Sequence, residues 1–251
     1  KVLTLLQEMA EGDGPKYATV WKEFGPVLKE GLPDDLSNRE RLAKLLRFAT
    51  THTGTDEQLT SLPDYVSRMK EGQSRIYYIT ADTFAAAQHS PHLEVFKTKG
   101  VEVLLLHDRV DEWMLGGLTE FDGKPLQSVA KGELDLGALV DEPEKAAQAN
   151  AADEFKAVTD RIERALGDKA KSVRVTDRLT ESPACLVREQ GDISLNLERM
   201  LKAAGQPVPG GKPILEINPT HPIVRRLQHE DDEAMHEVTL SPFFLARHEL
   251  T

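Results

Sequence analysis

The sequence feature that most constrains the fold is a pair of short apolar runs separated by helix-forming residues. The runs are residues 76–80 (IYYIT) and 101–106 (VEVLLL), and residues 81–88 and 91–99 between them have helical composition. A crossover of about 20 residues is long enough to join two parallel strands. The pattern therefore predicts a β-α-β unit whose second strand is covered on both faces.

The second strand leads directly into a short predicted helix. Its apolar residues fall at helical spacing: Val110, Trp113, Met114 and Leu118. Asp108 or Asp111 can cap this helix. The glycine pair at 116–117 favours its end and cannot cover an indole, so we expect one side of Trp113 to be uncovered. Spacing alone favours a core position for Trp113 and Met114, whereas an uncovered Trp beside Met is typical of a protein-contact surface.

The residues before the β-α-β unit are predicted to be helical. Residues 15–29 form an amphipathic helix with a predicted kink or break at Gly25-Pro26. The run SNRE (37–40) is a predicted capping box that starts one further helix. The run SLPD (61–64) is predicted to start another, with Pro63 in its first turn.

An acidic stretch marks the predicted domain boundary. Residues 131–160 contain eight acids against three lysines. We therefore predict one domain at 1–134, with a helical segment (1–72) and a small α/β subdomain (73–134), and a second domain at 135–251.

The second domain is predicted to have a small sheet and flanking helices. Strands at 173–175 and 184–188 are interpreted as hairpin-like, with a further strand at 214–217. One helix stripe consists of Phe155, Val158, Ile162 and Leu166. A second apolar helix face consists of Ile193, Leu197, Met200 and Leu201. The predicted class of the whole chain is α/β in the α+β sense.

Composition excludes several functions. The net charge of −11, with bases interspersed among acids, argues against nucleic-acid binding. The sequence contains no apolar run of about 18 residues, so it predicts no membrane span. Neither phosphate-binding glycine pattern nor H-E-x-x-H occurs, so no catalytic, cofactor or metal residue is predicted in this chain. Cys185, the single cysteine, cannot form an internal disulfide.

Several long runs resemble one family in the order in which that family has them. Three resemble the middle domain of the 90-kilodalton heat-shock chaperone family in its bacterial type: YVSRMKEGQ (65–73), IYYITAD (76–82) and DEWMLGGLTEFDGKPLQSV (111–129). Three resemble its C-terminal domain: SPACLV (182–187), NLERMLKAAGQ (196–206) and LEINPTHPIV (215–224).

The resemblance implies a cytoplasmic, ATP-dependent chaperone of the stress response. It implies binding of unfolded or partly folded client proteins by a homodimeric clamp, with ATP and Mg²⁺ bound in an N-terminal domain that these residues do not match. The implied client-binding residues form two separate apolar surfaces, and we expect both to be part-exposed. One consists of Trp113, Met114 and Leu115, and the other of Ile193, Leu197, Met200 and Leu201. Cys185 matches the second cysteine of a redox-sensitive motif in eukaryotic members.

The two ends of the chain depart from a complete family member. Lys1 starts within a helical pattern, which indicates a fragment. The family's C-terminal domain continues with two long helices, whereas Pro242 interrupts the first of them here, so we expect incomplete dimerisation.

Two other readings of the residues are open. One is a β-α-β enzyme domain with a substrate pocket at residues 108–112, where Asp108, Arg109 and Asp111 are candidate polar groups. The other is an interaction module that binds no client.

Overall fold

The computed structural model describes residues 1–134, 136–140, 142–208 and 211–229. They form two compact units. The first consists of Lys1–Gln88 with Val101–Ser128, and the second consists of His89–Gly100 with the described residues from Val129 onward. The domain boundary after residue 134 stays a prediction. The expectations for the end of the chain, from residue 230 onward, lie outside the described residues.

The first unit begins with helices α1 (Val2–Gly12), α2 (Gly14–Gly31), α3 (Arg39–Leu45) and α4 (Leu62–Ser67), with a 3-10 turn at Leu36–Asn38. The start of α2 is capped by the Asp13 carboxylate, which accepts a backbone N–H of the first turn at 3.1 Å. The chain does not break at Pro26, because α2 continues to Gly31. Buried Trp21 and Lys29 hold the turns on either side of this exposed proline against the core.

The sheet of the first unit has five strands in the order β1-β3-β2-β5-β4. The strands are β1 (Ala49–Thr50), β2 (Ile76–Thr80), β3 (Leu104–Leu106), β4 (Glu120–Phe121) and β5 (Lys124–Ser128). Strand β2 is parallel to both β3 and β5. Between β2 and β3 the chain forms α5 (Phe84–Gln88), a 3-10 turn at Pro91–Leu93 and α6 (Glu94–Lys99). The predicted β-α-β unit is confirmed.

An apolar cluster joins the helices and the sheet of the first unit. Its buried members include Tyr17, Trp21, Leu45, Phe48, Tyr65, Ile76, Leu104 and Met114. The Tyr65 hydroxyl satisfies two backbone groups in this core, since it donates to the Glu102 carbonyl at 2.7 Å and accepts from the Tyr77 N–H at 3.0 Å. The cluster therefore ties α4 to the β-α-β unit.

The second unit has five helices and a three-stranded sheet among its described residues. The helices are α6 together with α8 (Glu142–Glu154), α9 (Lys156–Leu166), α10 (Leu195–Ala203) and α11 (Pro222–His229). The strands are β6 (Ser172–Val175), β7 (Ala184–Val187) and β8 (Ile214–Ile217), and 3-10 turns lie at Gly137–Leu139 and Gly167–Lys169. Helix α7 (Asp111–Gly117) belongs to the first unit and is described below.

The predicted hairpin between the strands near 173 and 184 is wrong. Strand β8 lies between β6 and β7, parallel to β6 and antiparallel to β7. All four residues of β8 are buried, whereas β6 and β7 are only partly buried, so β8 has the position of a central strand. The predicted α+β class, with helices flanking a small sheet, is confirmed.

The core of the second unit combines apolar packing with a buried ionic cluster. Phe155 and Val158 pack against residues of β6, β8 and α11. The Glu216 carboxylate of β8 accepts Arg178 Nε at 2.8 Å and Arg174 Nη2 at 2.7 Å, and Arg178 is fully buried. Burial alone would raise the pKa of Glu216, but the two guanidinium groups hold it below its usual value.

Candidate functional site

The candidate site in the first unit is helix α7, which follows β3 after a short loop. The buried residues of this helix are Asp111, Met114 and Gly117. The helix ends at Gly117, where the Leu118 N–H still bonds the Met114 carbonyl at 2.9 Å. The predicted end of the helix at its glycine pair is confirmed.

Trp113, two residues after buried Asp111, faces away from that residue, and 59% of it is exposed. One turn further on, a Cβ atom added to Gly116 would meet no atom of the described residues within 4 Å, so none of them covers that part of the helix. Leu115 is half-buried and packs against the core cluster. We call Trp113, Leu115 and Gly116 the α7 surface.

Met114 departs from the expected exposed patch. The residue is 0% exposed and belongs to the core cluster of the first unit. It lies three residues after buried Asp111 and three before buried Gly117, which places it on the core-facing side of the helix. The expectation that Met114 is part-exposed beside Trp113 is therefore wrong, and the α7 surface is narrower than the sequence indicated.

A buried ammonium group fixes the start of α7. Lys29 Nζ, on α2, lies 2.7 Å from Asp108 Oδ2 and 2.7 Å from Asp111 Oδ1. Gln58 Nε2 donates to the same Asp108 oxygen at 2.8 Å, and Trp21 Nε1 donates to Gln58 Oε1 at 3.1 Å. We call Lys29, Asp108, Asp111 and Gln58 the Lys29 cluster.

The two acids of the Lys29 cluster differ in environment. Burial raises the pKa of Asp111, and the nearby Lys29 only partly opposes this. Burial acts in the same direction on Asp108, but Lys29 and the Gln58 hydrogen bond hold the pKa of that carboxyl below its usual value. Val110 is the N-cap residue and makes no side-chain cap, so the predicted capping role of the two acids is wrong. Asp111 Oδ2 instead accepts the Asp108 backbone N–H at 2.9 Å.

The end of α7 is held by close packing. A Cβ atom added to Gly117 would lie 2.7 Å from the Pro33 Cα and 3.0 Å from Leu32 Cδ2. Only glycine allows this approach of the helix to the segment that follows α2. Both ends of α7 are therefore anchored, the first by charge and the second by packing, while Trp113 between them projects outward.

The candidate site in the second unit is α10 with the residue that precedes it. Ile193, Leu197, Met200 and Leu201 are all half-buried, as expected for a part-exposed face. Ile193 lies before the N-cap residue Ser194 and so outside the helix itself. We call these four apolar residues the α10 surface.

Polar contacts position α10. The Ser194 hydroxyl accepts the Leu197 backbone N–H at 2.9 Å and caps the helix. Glu198 forms ion pairs with buried Arg188 and with Lys202, the latter at 2.6 Å. The Asn196 amide lies 3.9 Å from the Met200 sulfur. The apolar residues of α10 therefore lie on a helix with a fixed start and a paired polar side.

The geometry does not favour the enzyme reading. The carboxylates of Asp108 and Asp111 are engaged with Lys29, while Arg109 points to solvent, so the three candidate groups do not converge.

A groove of about 680 Å³ lies in the second unit, along α8, α9 and β6. Its charged lining includes Glu133, Lys145, Lys156, Asp160, Glu163, Arg174 and Asp177.

The remaining chemistry of the described residues is limited. No group of three or more His, Cys, Asp or Glu side chains among them could hold a metal ion. Cys185 is buried on β7, with its sulfur 4.0 Å from Glu216 Oε2. Its redox sensitivity stays a prediction. None of the helices in the described ranges has the length and apolar character that crossing a membrane requires.

Sequence reasoning missed the support of α7 by Lys29. A signal was available, since Trp21, Gly25 and Lys29 follow one another at four-residue intervals, which places Lys29 on the helix face that carries Trp21. A lysine at a core position of an amphipathic helix needs an acidic partner. The sequence alone does not say which acids supply it.

These observations define a two-unit α+β protein whose candidate sites are part-exposed apolar surfaces on anchored helices. Comparison with known proteins identifies the family. The sequence model of the family described as Hsp90 protein matches residues 1–244. The chain therefore belongs to the Hsp90 family.

Bacterial relatives named chaperone protein HtpG are similar to this chain. That of Dechloromonas aromatica is 60% identical over 231 residues, 92% of this chain and 36% of the relative. That of Chromobacterium violaceum is 62% identical over 234 residues, 93% of this chain and 37% of the relative. That of Paraburkholderia xenovorans is 62% identical over 235 residues, 92% of this chain and 37% of the relative. The chain thus spans just over a third of the length of the curated relatives it matches.

Proposed function

We propose that this chain is the client-binding part of an ATP-dependent molecular chaperone of the stress response, working as a cytoplasmic homodimer. The names of the relatives support the chaperone assignment. ATP and Mg²⁺ would be bound by another region of a longer protein, and this chain would contact unfolded or partly folded clients. It has no predicted role in contacting nucleic acid or membrane.

The observation that carries the proposal is the exposure of Trp113. An indole that is 59% exposed on a helix anchored at both ends gives a large, rigid contact area with little loss of side-chain entropy on binding. Unfolded proteins display apolar side chains that an exposed indole can cover. The α10 surface, with the flexible side chain of Met200, would adapt to clients of different sequence.

The first prediction tests Trp113 as a contact anchor. Trp113→Ala should weaken binding of an unfolded client by about 1–2 kcal/mol, because it removes a large contact residue. It should change the free energy of unfolding by less than about 0.5 kcal/mol, because the side chain is mainly exposed. Fluorescence anisotropy with labelled, reduced and carboxymethylated α-lactalbumin measures the first quantity, and urea denaturation measures the second.

Phe24→Ala is the matched control. Phe24 is an aromatic residue on α2 with the same 59% exposure. If client binding uses the α7 surface, the Phe24 variant should bind as the wild type does. Equal losses in both variants would indicate general stickiness, and unchanged affinity of the Trp113 variant would remove the proposed site.

A further inference from the structure

We propose that Lys29 is a positioning residue for client contact, which fixes the first turn of α7 so that Trp113 faces solvent. This inference rests on the function proposed above. Lys29 does not reach the α7 surface, since its side chain is 1% exposed. It would act through the helix that carries the indole.

The geometry links the ammonium group to the direction of the indole. Lys29 Nζ contacts Asp108 in the loop and Asp111 in the first residue of α7, each at 2.7 Å. Asp111 and Trp113 are two residues apart, which is roughly 200° around a helix. Holding Asp111 against the core therefore turns Trp113 outward.

One short segment supports both ends of α7. Lys29 lies in the last turns of α2, and Pro33, against which Gly117 packs, lies just after that helix. The buried charge sets the rotation of α7 at its start, and the packing of Gly117 sets its distance at the end. A site held in this way from two points is pre-organised for binding.

Stability alone does not account for a buried ionic cluster. Replacing such a cluster with uncharged residues of similar size is often neutral or stabilising. Lys29 is also flanked by aromatic rings, with its Nζ 5.8 Å from the centre of the Trp21 ring and 5.4 Å from that of Phe48. Two acids and two rings restrict the ammonium group to one place, which favours a role in orientation.

The second prediction uses a triple variant, Lys29→Met with Asp108→Asn and Asp111→Asn. It removes all three charges with little change in volume, so it should fold even if Lys29→Met alone does not. We expect client affinity to fall about five- to tenfold with Trp113 still present. Hydrogen exchange of the backbone amides in α7 should become faster, while that of β2 and β3 stays unchanged.

A double-mutant cycle separates positioning from general damage. In the Trp113→Ala background the triple substitution should cause no additional loss of affinity, because the residue through which Lys29 acts is gone. Lys22→Met removes an exposed lysine from the same helix and should leave both affinity and exchange at wild-type values.

The outcomes distinguish this inference from the proposed function. Wild-type affinity in the triple variant, or equal losses with and without Trp113, would overturn the role of Lys29 while the client site stands. If Trp113→Ala itself leaves the affinity unchanged, the proposed site fails and the role of Lys29 fails with it.

Discussion

The two units each bury an ionic cluster, and the clusters have opposite compositions. In the first unit one ammonium group, that of Lys29, lies between the carboxylates of Asp108 and Asp111. In the second unit one carboxylate, that of Glu216, lies between the guanidinium groups of Arg174 and Arg178. In each cluster, one charged group compensates two groups of the opposite charge.

The acids respond differently in the two clusters. Asp111 shares one cation with a second acid, and burial raises its pKa. Glu216 has two cations, which together outweigh burial and lower its pKa. Two cations therefore keep the buried Glu216 carboxylate charged, whereas the single ammonium group of Lys29 lowers the pKa of Asp108 but does not outweigh the burial of Asp111.

The largest effect on stability should come from removing the ammonium group of Lys29. Lys29→Met leaves the buried carboxylate of Asp111 and the partly exposed carboxylate of Asp108 without their cation, and it should lower the free energy of unfolding of the first unit by about 3–5 kcal/mol. Both tryptophans, Trp21 and Trp113, lie in the first unit, so urea denaturation followed by their fluorescence reports on it selectively. Lys22→Met on the same helix should stay within about 0.5 kcal/mol of the wild type. A loss below about 1 kcal/mol for Lys29→Met would mean that the acids relax into solvent.

A smaller effect is expected when the second unit loses one of its two cations. Arg174→Met leaves Glu216 paired with Arg178, and the side chain of Arg174 is 30% exposed. The loss should be about 1.5–3 kcal/mol, the value of hydrogen bonds to a charged group. Hydrogen exchange of the β8 amides measures it. A loss as large as that of Lys29→Met would show that the second arginine does not protect the cluster.

Local sequence patterns predicted the local parts of this structure. The helix start predicted at 61–64 is confirmed, since Ser61 is the N-cap residue of α4 and its Oγ accepts the Asp64 N–H at 3.1 Å. The capping box predicted at 37–40 is wrong. Asp35 takes the capping role instead, since its carboxylate accepts the Asn38 N–H at 3.2 Å. Helix α3 then starts at Arg39 with no side-chain cap. Asp35 and Ser37 are both suitable capping residues and lie two positions apart, so the sequence pattern alone does not decide which of them caps the helix.

Contacts between distant residues were not predictable in the same way. Strand β8 inserts between two strands that the sequence order suggested as neighbours. Lys29 meets Asp108 across 79 positions of sequence. The exposure of Trp113 was predicted from its glycine neighbours, but the burial of Met114 depends on the rotation of α7, which this distant ion pair helps to fix. Client contact by either surface stays a prediction.

His92 provides a test of the second cluster by pH. It lies in the second unit, is 5% exposed, and faces Arg178, Glu216, Glu94 and the Leu186 backbone. Burial, and next the positive charge of Arg178, lower its pKa from 6.5 to about 3, while the two acids and the backbone group only partly oppose this. The folded state therefore keeps His92 neutral in a range where the unfolded state binds a proton.

The stability of the second unit should consequently fall as the pH drops below 6.5, because the unfolded state then binds more protons than the folded one. Between pH 7 and about pH 5 the loss attributable to His92 should be about 2 kcal/mol, and it should grow until the pH reaches the folded pKa. Hydrogen exchange of the β8 amides, corrected for the intrinsic effect of pH, measures this slope. His92→Leu should flatten it even if the lost hydrogen bond lowers stability at pH 7, whereas His89→Leu, which removes an exposed histidine three residues earlier, should leave it unchanged. If the unfolding free energy of the His92 variant depends on pH as steeply as that of the wild type, the acid sensitivity arises from other residues. The burial of His92 and its proximity to Arg178 would then not lower its pKa as expected.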